Sequence, residues 1–307
     1  MQNVPDFLLS HFPNADIKFI GSGSDSDAFR VGTKIIRVPH QNSGAMYERE
    51  SKICHAIAKY ISIRIPNITV HTDGGNVWVE HEMITGDKWS WHKFMWNRTK
   101  TRNLGQSIAR FMAELHGMDT KKLCRAVPEL KQSAPYMEFD AIAPYLATVL
   151  SNRQMKTFRK NYERILNFPV KPSDMVLVHL GIKGPNSVVD SNANLSGVFD
   201  FCNAGIYERE RDMVLIAMLA PHSLWRAFAH EYRRITGIKP NKKRIYDLMK
   251  IEFLWSKRWI STDGGIIVPN MRFFAKNVGA AMARFYHIPT VCKWWWYYRA
   301  KYVNRSK

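Results

Sequence analysis

Between residues 175 and 201 the sequence MVLVHLGIKGPNSVVDSNANLSGVFDF forms one β-rich island in a stretch that otherwise carries helical spacing. No other segment limits the fold so much. A loop runs from His179 to Asn186, residues Asp190 to Asn194 supply a hairpin turn, and an apolar strand brings the chain back to Asp200. One hairpin thereby presents an amide and a carboxylate together.

The first 85 residues read differently. IKFIGSG, DAFRVG and KIIRVPH alternate apolar and polar residues around Gly and Asp turns, the pattern of a meander. GAMYERESKICHAIAKYI switches to helical spacing, with Met46, Ile53, Ile57 and Ile61 on or near one stripe. NITVHTDGGNVWVEHEMI reads as a hairpin turning at Asp73-Gly74-Gly75-Asn76. Thr85-Gly86-Asp87 breaks this pattern and is the expected linker. Beyond it the chain is mostly helical, as in NLGQSIARFMAELHGM with Leu104, Ile108, Phe111, Met112 and Leu115 apolar, and helical patterns resume from Glu208. No repeat of 20 to 50 residues is present. The order predicts an α+β chain with a small β-rich lobe over 1–85. A larger helical lobe follows over 86–307, containing the loop at 178–201 and a basic subdomain from about 208 to 307.

At roughly 150 residues per domain, 307 residues suit one two-lobed unit or two domains, and 46% hydrophobic residues can fill a sizeable core. The N-terminus has acids and a proline but no basic region before an apolar run, so it does not read as a signal peptide. No stretch approaches the roughly 18 apolar residues of a membrane span, since IEFLWSKRWI carries Lys257 and Arg258 at its centre. Cys54, Cys124, Cys202 and Cys292 form no CxxC pair, which argues against zinc or a disulfide framework and fits a reducing cytoplasm.

The net charge of +19 is uneven: Ser223 to Lys307 holds 18 Lys or Arg against four acids. Such a surface either serves solubility or attracts an anionic partner, such as RNA, an acidic protein or, less readily, a membrane surface. The run KWWWYYRAKY from Lys293 to Tyr302 interleaves aromatics with cations. It suits a helix packed on its own lobe, base stacking, or an interfacial anchor.

Gly21, Ser22, Gly23 and Ser24 lie between two strand patterns, where glycines let backbone N–H groups approach phosphate oxygens; an ordinary hairpin would use the same residues. KIIRVP carries Arg37 on a buried strand, and Glu50 on the following helix is placed to orient it, as phosphoryl transfer requires of a cation holding phosphates. Glu48 falls on another helix face. Asn186 and Asp200 offer hard oxygen ligands that suit Mg²⁺ bound with nucleotide phosphates.

Together these motifs resemble the aminoglycoside phosphotransferase and choline kinase-like family, relatives of protein kinases. Its loop reads His-Gly-Asp-Leu-His-Pro-Gly-Asn, followed by Val-Ile-Asp-Trp/Phe, and His179, Asn186 and Asp200 fall at matching spacing. AELHG at 113–117 resembles the family's Leu-His helix end, and ERERD at 208–212 its Asp-Pro-x-x-Asp helix start. The resemblance covers roughly residues 15 to 220. It implies a two-lobed protein-kinase-like fold, with ATP or GTP and Mg²⁺ as cofactors. The implied nucleotide-binding residues are Gly21, Ser22, Gly23, Ser24, Arg37, Glu50, Glu82 and Ile84. Asn186 and Asp200 would hold metal, His179 and Lys183 would belong to the catalytic loop, and Asp212 would be a buried structural aspartate. No sequence feature assigns an oligomeric state.

One position departs from the family. Its general base, an aspartate, stands two residues after the histidine, and here that residue is Gly181. Glycine cannot accept a proton or orient a hydroxyl. Nucleotide and metal binding would survive while transfer is lost or strongly impaired. Either the chain is a natural pseudokinase, or an active parent reading HLDIKGPN was silenced at one residue, for which a toxic parent would be a reason. The scarcity of acids in the C-terminal segment counts against a polycationic acceptor and favours a neutral or anionic small molecule, RNA or protein.

Overall fold

The computed structural model describes residues 4–23, 25–40, 44–91, 93–132, 139–140, 143, 152–249 and 251. Ser24, Cys292, the Lys293–Tyr302 run and most of the basic C-terminal segment lie outside the described residues. Strands β1 (Ile17–Ser22), β2 (Ser26–Val31), β3 (Lys34–Pro39), β4 (Thr69–Asp73) and β5 (Asn76–Glu82) form one antiparallel sheet in the order β1-β2-β3-β5-β4. The β4–β5 turn uses Gly74 and Gly75 at φ 55° and 82°, a region L side chains enter at a cost.

Alternation along β5 sends Trp78 and Val79 to opposite faces. Trp78 joins Phe29, Val31, Ile36 and Leu8 of helix α1 (Asp6–His11) in a small cluster. Val79 joins the main core, beside Ile53 and Ile57 of helix α2 (Gly44–Ile57). The buried positions of α2 are Tyr47, Glu50, Ile53, Cys54 and Ile57, a stripe of helical period with one carboxylate inside it.

In the larger part, helix α3 (Arg98–His116) turns Leu104, Ile108, Phe111, Met112 and Leu115 into that core. Helices α4 (Thr120–Ala126) and α5 (Asn152–Leu166) follow, then β6 (Met175–Val178), β7 (Ser187–Val189), β8 (Leu195–Val198) and β9 (Gly205–Glu208), then α6 (Val214–Leu219) and α7 (His222–Thr236). Helix α3 crosses α7 closely: a Cβ on Gly105 would lie 2.6 Å from the Leu224 carbonyl oxygen. β7 pairs with β8 as the expected hairpin. β9 was not expected: Gly205–Glu208 pairs antiparallel with β6, Met175 opposite Glu208, and helical turns follow from Arg209. Four residues are too short for alternation to show.

The hairpin β7–β8 meets the linker at one edge and the first lobe at the other. Asp87 and Val189 exchange backbone hydrogen bonds of 2.8 and 3.1 Å, and Val198 N–H donates to the Arg64 carbonyl at 3.0 Å. Gly197 lies under Ile84, where a Cβ would meet Ile84 Cγ2 at 2.3 Å. Among the described residues no helix is long and apolar enough to cross a membrane.

Glu208 ends β9 in a bidentate pair with buried Arg244, both contacts 2.6 Å, while Arg244 Nη1 donates to the Ile165 carbonyl at 2.8 Å. One guanidinium thus ties the helical stretch at 242–249 to β9 and α5. Arg244→Ala strands the Glu208 carboxylate in a dry site and is expected to cost about 3–5 kcal/mol in urea unfolding, while the paired change Glu208→Leu with Arg244→Met recovers most of it. A single-variant loss under about 1 kcal/mol, the scale of an exposed pair, would refute that role.

Candidate functional site

Glu50 is fully buried and has three partners. It accepts a hydrogen bond from Arg37 Nη2, another from the Phe201 backbone N–H at 2.9 Å, and a third from Cys202 Sγ at 3.1 Å. A carboxylate without solvent survives only with such compensation. The result joins β3, α2 and the segment after β8 at one point. Arg37 stacks over the Tyr47 ring at 4.9 Å, and Glu50 beside it holds the guanidinium firmly charged despite burial. Its Nε is buried and has no hydrogen-bond partner, a donor still to be satisfied. Glu48 is exposed.

Asp200 stands at φ 69°, an uncommon backbone for a non-glycine residue and typical of strained functional positions. It accepts from Asn186 Nδ2 at 2.8 Å, so the two expected metal-holding residues are in contact. Burial, and then the neighbouring Glu50 charge, raise its carboxyl above the ordinary range, while His179, Arg37 and Lys183 oppose that shift. Such a carboxylate, short of positive charge and facing an amide, has the donor chemistry that fits Mg²⁺. Lys183 is exposed at the loop's edge.

Asp212 organises the loop. Its carboxylate accepts from the His179 N–H at 3.1 Å and the Leu180 N–H at 2.8 Å, and meets His116 Nε2 at 3.4 Å, whose Nδ1 lies 2.8 Å from the Tyr232 hydroxyl. These contacts hold Leu180 at φ 61°. Burial works against ionised Asp212, but the His116 contact and the loop N–H groups outweigh it and keep the carboxyl below its usual range.

His179 is wholly buried, edge-on to Phe201 at 4.6 Å between ring centroids. Its Nδ1 accepts from the Gly181 N–H at 3.0 Å, so Nε2 carries the hydrogen and donates to the Phe199 carbonyl at 3.3 Å. Both ring nitrogens are used by the loop itself, and burial depresses the ring's pKa. Gly181 is buried, and its φ is not left-handed. A Cβ there would lie 3.1 Å from Asn186 Nδ2 and 3.3 Å from the His179 ring, so a side chain enters only if both side chains yield a few tenths of an ångström.

The turn after β1 is closed by Gly23 N–H donating to the Ser26 carbonyl at 2.8 Å, with Gly21 and Ser22 opposite Ala28 and Asp27. Glu82 ends β5, where His81 Nδ1 lies 2.9 Å from its carbonyl oxygen, and Ile84 covers Gly197. Sequence reasoning did not single out Arg49, and it placed His116 in a helix-end motif without giving it a role. Arg49 donates to the Cys202 carbonyl at 2.8 Å and also to that of Ala204, fixing the segment after Asp200. His116 supports Asp212; its place in the AELHG helix end was the available signal.

The model of a family described as "Phosphotransferase enzyme family" matches residues 16–248. Among solved structures, the chain is similar to APH(2'')-IIa in a ternary complex with streptomycin and ATP, at TM-score 0.66 and 18% identity, covering 90% of this chain and 97% of that one. A GDP complex of wild-type aminoglycoside 2'-phosphotransferase-IIIa gives 0.65 and 15%, covering 90% and 97%. The macrolide 2'-phosphotransferase MphH from Brachybacterium faecium gives 0.61 and 14%, covering 91% and 96%. At these identities the likeness is one of fold.

Both buried groups make the loop acid-sensitive. An Asp212 carboxyl held below 3.8 adds stability above that value and loses it as pH falls through the folded-state pKa. A buried neutral His179 adds stability above about 6.5 that is lost on acidification, because the unfolded chain takes up the proton first. Urea midpoints should fall from about pH 6.5 downward, and Asp212→Asn should be less stable at neutral pH with a flatter curve below pH 4. An unchanged slope below pH 4 would remove Asp212 as its source.

Proposed function

Because the chain belongs to the phosphotransferase enzyme family, we propose that it binds a Mg²⁺-complexed purine nucleotide, ATP or GTP, and that Gly181 leaves it poor at passing the phosphoryl group to a hydroxyl. One observation carries this reading: Glu50 holds Arg37 and the Asp200 segment together, so a cation and a carboxylate–amide pair are kept near one another. Arg37 would bind phosphate oxygens, oriented by Glu50. Asn186 and Asp200 would hold Mg²⁺, which when bound bridges and neutralises the phosphates. Gly21, Ser22 and Gly23 would cover the nucleotide, with Glu82 and Ile84 beside its base. His179 and Asp212 would fix the loop's shape, and Lys183, at its exposed rim, would attract the transferred group.

The acceptor's hydroxyl would lie beside residue 181, where an aspartate would orient it and take its proton. Without that group, the usual ~10²–10⁴-fold contribution of a general base is missing. Electrostatics favour a neutral or anionic acceptor. Of the four acids after Ser223, Glu231 is tied to Arg110 and Arg234, and Asp247 to Arg164, so neither is available to a polycation.

ATP or GTP with Mg²⁺ at about 100 times Kd should stabilise the chain by ~2.7 kcal/mol, seen as a rise in melting temperature that Asp200→Asn abolishes. Gly181→Asp should raise nucleotide turnover or transfer by ~10²–10⁴-fold. A melting shift without any gain from Gly181→Asp on small-molecule, RNA or protein acceptors would make the chain a nucleotide-binding pseudokinase. Absence of the shift would end the nucleotide reading.

A further inference from the structure

Residues 88–113 contain six cations and not one acid. The stretch comprises the loop 88–97 and most of α3. Arg110 is paired with Glu231. Lys88, Lys93, Arg98 and Arg102 are exposed, and among the described residues no ion pair involves them. Arg98 and Arg102, four residues apart, share one face of α3 with a rise of about 6 Å between them. They stand near the helix N-terminus, where the peptide dipole disfavours cations, so helix stability does not account for them.

Among these charges Trp96 is 89% exposed, the most exposed large hydrophobic residue of the described chain. Contacts on both sides of Trp96 tie this stretch to the hairpin that carries the site. Trp89 is buried, its Nε1 donates to Ser187 Oγ at 3.0 Å, and its carbonyl leaves Gly184 no room for a Cβ. Thr101 Oγ1 donates to the Phe94 carbonyl at 2.6 Å, and Asn103 Nδ2 to the Asn192 carbonyl at 2.9 Å, in the β7–β8 turn. Lys93 and Lys100 lie over the Phe94 ring at 5.5 and 5.8 Å, which leaves Trp96 as the open aromatic face.

We propose that Trp96, with Lys93, Arg98 and Arg102, forms a docking surface for single-stranded nucleic acid, the indole stacking on a base and the cations following the phosphates. The cations are spread along the loop and one helix face rather than gathered round a point, which suits a polyanion over a single phosphate. A lipid surface is disfavoured, because interfacial binding needs a continuous apolar face and only Met95 accompanies Trp96 in exposure here. The surface deepens the anionic-partner reading and rests on it, but not on phosphoryl transfer.

The test uses the full chain and a fluorescein-labelled 12-nucleotide oligouridylate, read by anisotropy from low to moderate salt. Trp96→Ala should weaken binding ~5- to 150-fold, the range for one stacked base. Arg98→Glu with Arg102→Glu should reduce the slope of log affinity against log salt by about 1.4, at ~0.7 per phosphate lost. A control of equal charge, Lys59→Glu with Lys171→Glu, should keep most of the affinity. Parent-like binding by the Trp96 and Arg98/Arg102 variants overturns the surface. Absence of RNA binding, with or without retention on phosphatidylserine vesicles, overturns the nucleic-acid assignment. The Mg²⁺-nucleotide melting shift, measured on the same samples, reports separately on the proposed nucleotide site.

Discussion

The carboxylate of Glu50 is the contact on which the arrangement of the two lobes around the site depends. An ionised side chain with no solvent costs several kcal/mol unless charge and hydrogen bonds replace its water. Here the replacements come from three places: Arg37 on β3, the Phe201 N–H after β8, and the Cys202 thiol. None is local to α2, so the charge is satisfied only when the sheet, the helix and the hairpin are assembled. Arg49, one residue earlier, reinforces this from the neighbouring helix face by holding the Cys202 and Ala204 carbonyls.

Asp212 plays the matching part below the loop. Four backbone residues from His179 to Ile182 have no secondary structure of their own, yet are mostly buried. Loops pay heavily for burial unless their N–H groups find acceptors. Asp212 takes two of them, and the His179 ring takes a third from Gly181. Leu180 and Asp200 both sit at positive φ without being glycine, so backbone strain is concentrated on either side of Asn186. Burial of His179 and Asp212 is what holds that strain in place.

The elements readable in the sequence were those whose period or turn chemistry is self-contained. The meander alternates cleanly, Gly74 and Gly75 mark their turn, and the apolar stripe of α3 runs over about three turns. β9 was not readable, because four residues carry no period and its identity as strand comes only from pairing with β6. At the site, order and spacing brought Arg37, Glu50, Asn186 and Asp200 into view. Spacing could not show that His179 faces inward, with both nitrogens spent on the loop, because that follows from the path of Gly181 and Phe199. Nor could it show Arg49, whose acceptors lie 153 and 155 residues away.

Gly181 can now be read in its surroundings. If the loop needed glycine for its shape, the backbone there would be left-handed or the space closed by backbone atoms, as at Gly86 and Gly184. Neither holds. The nearest atoms to a Cβ are an amide at the tip of the Asn186 side chain and the edge of the His179 ring. The strained neighbour is Leu180, not Gly181. A side chain at 181 therefore asks both the Asn186 and the His179 side chains to give by a few tenths of an ångström, while the backbone itself asks for no glycine. The proposed loss of the general base thus concerns the side chain that residue 181 lacks, and not an unusual backbone at that position.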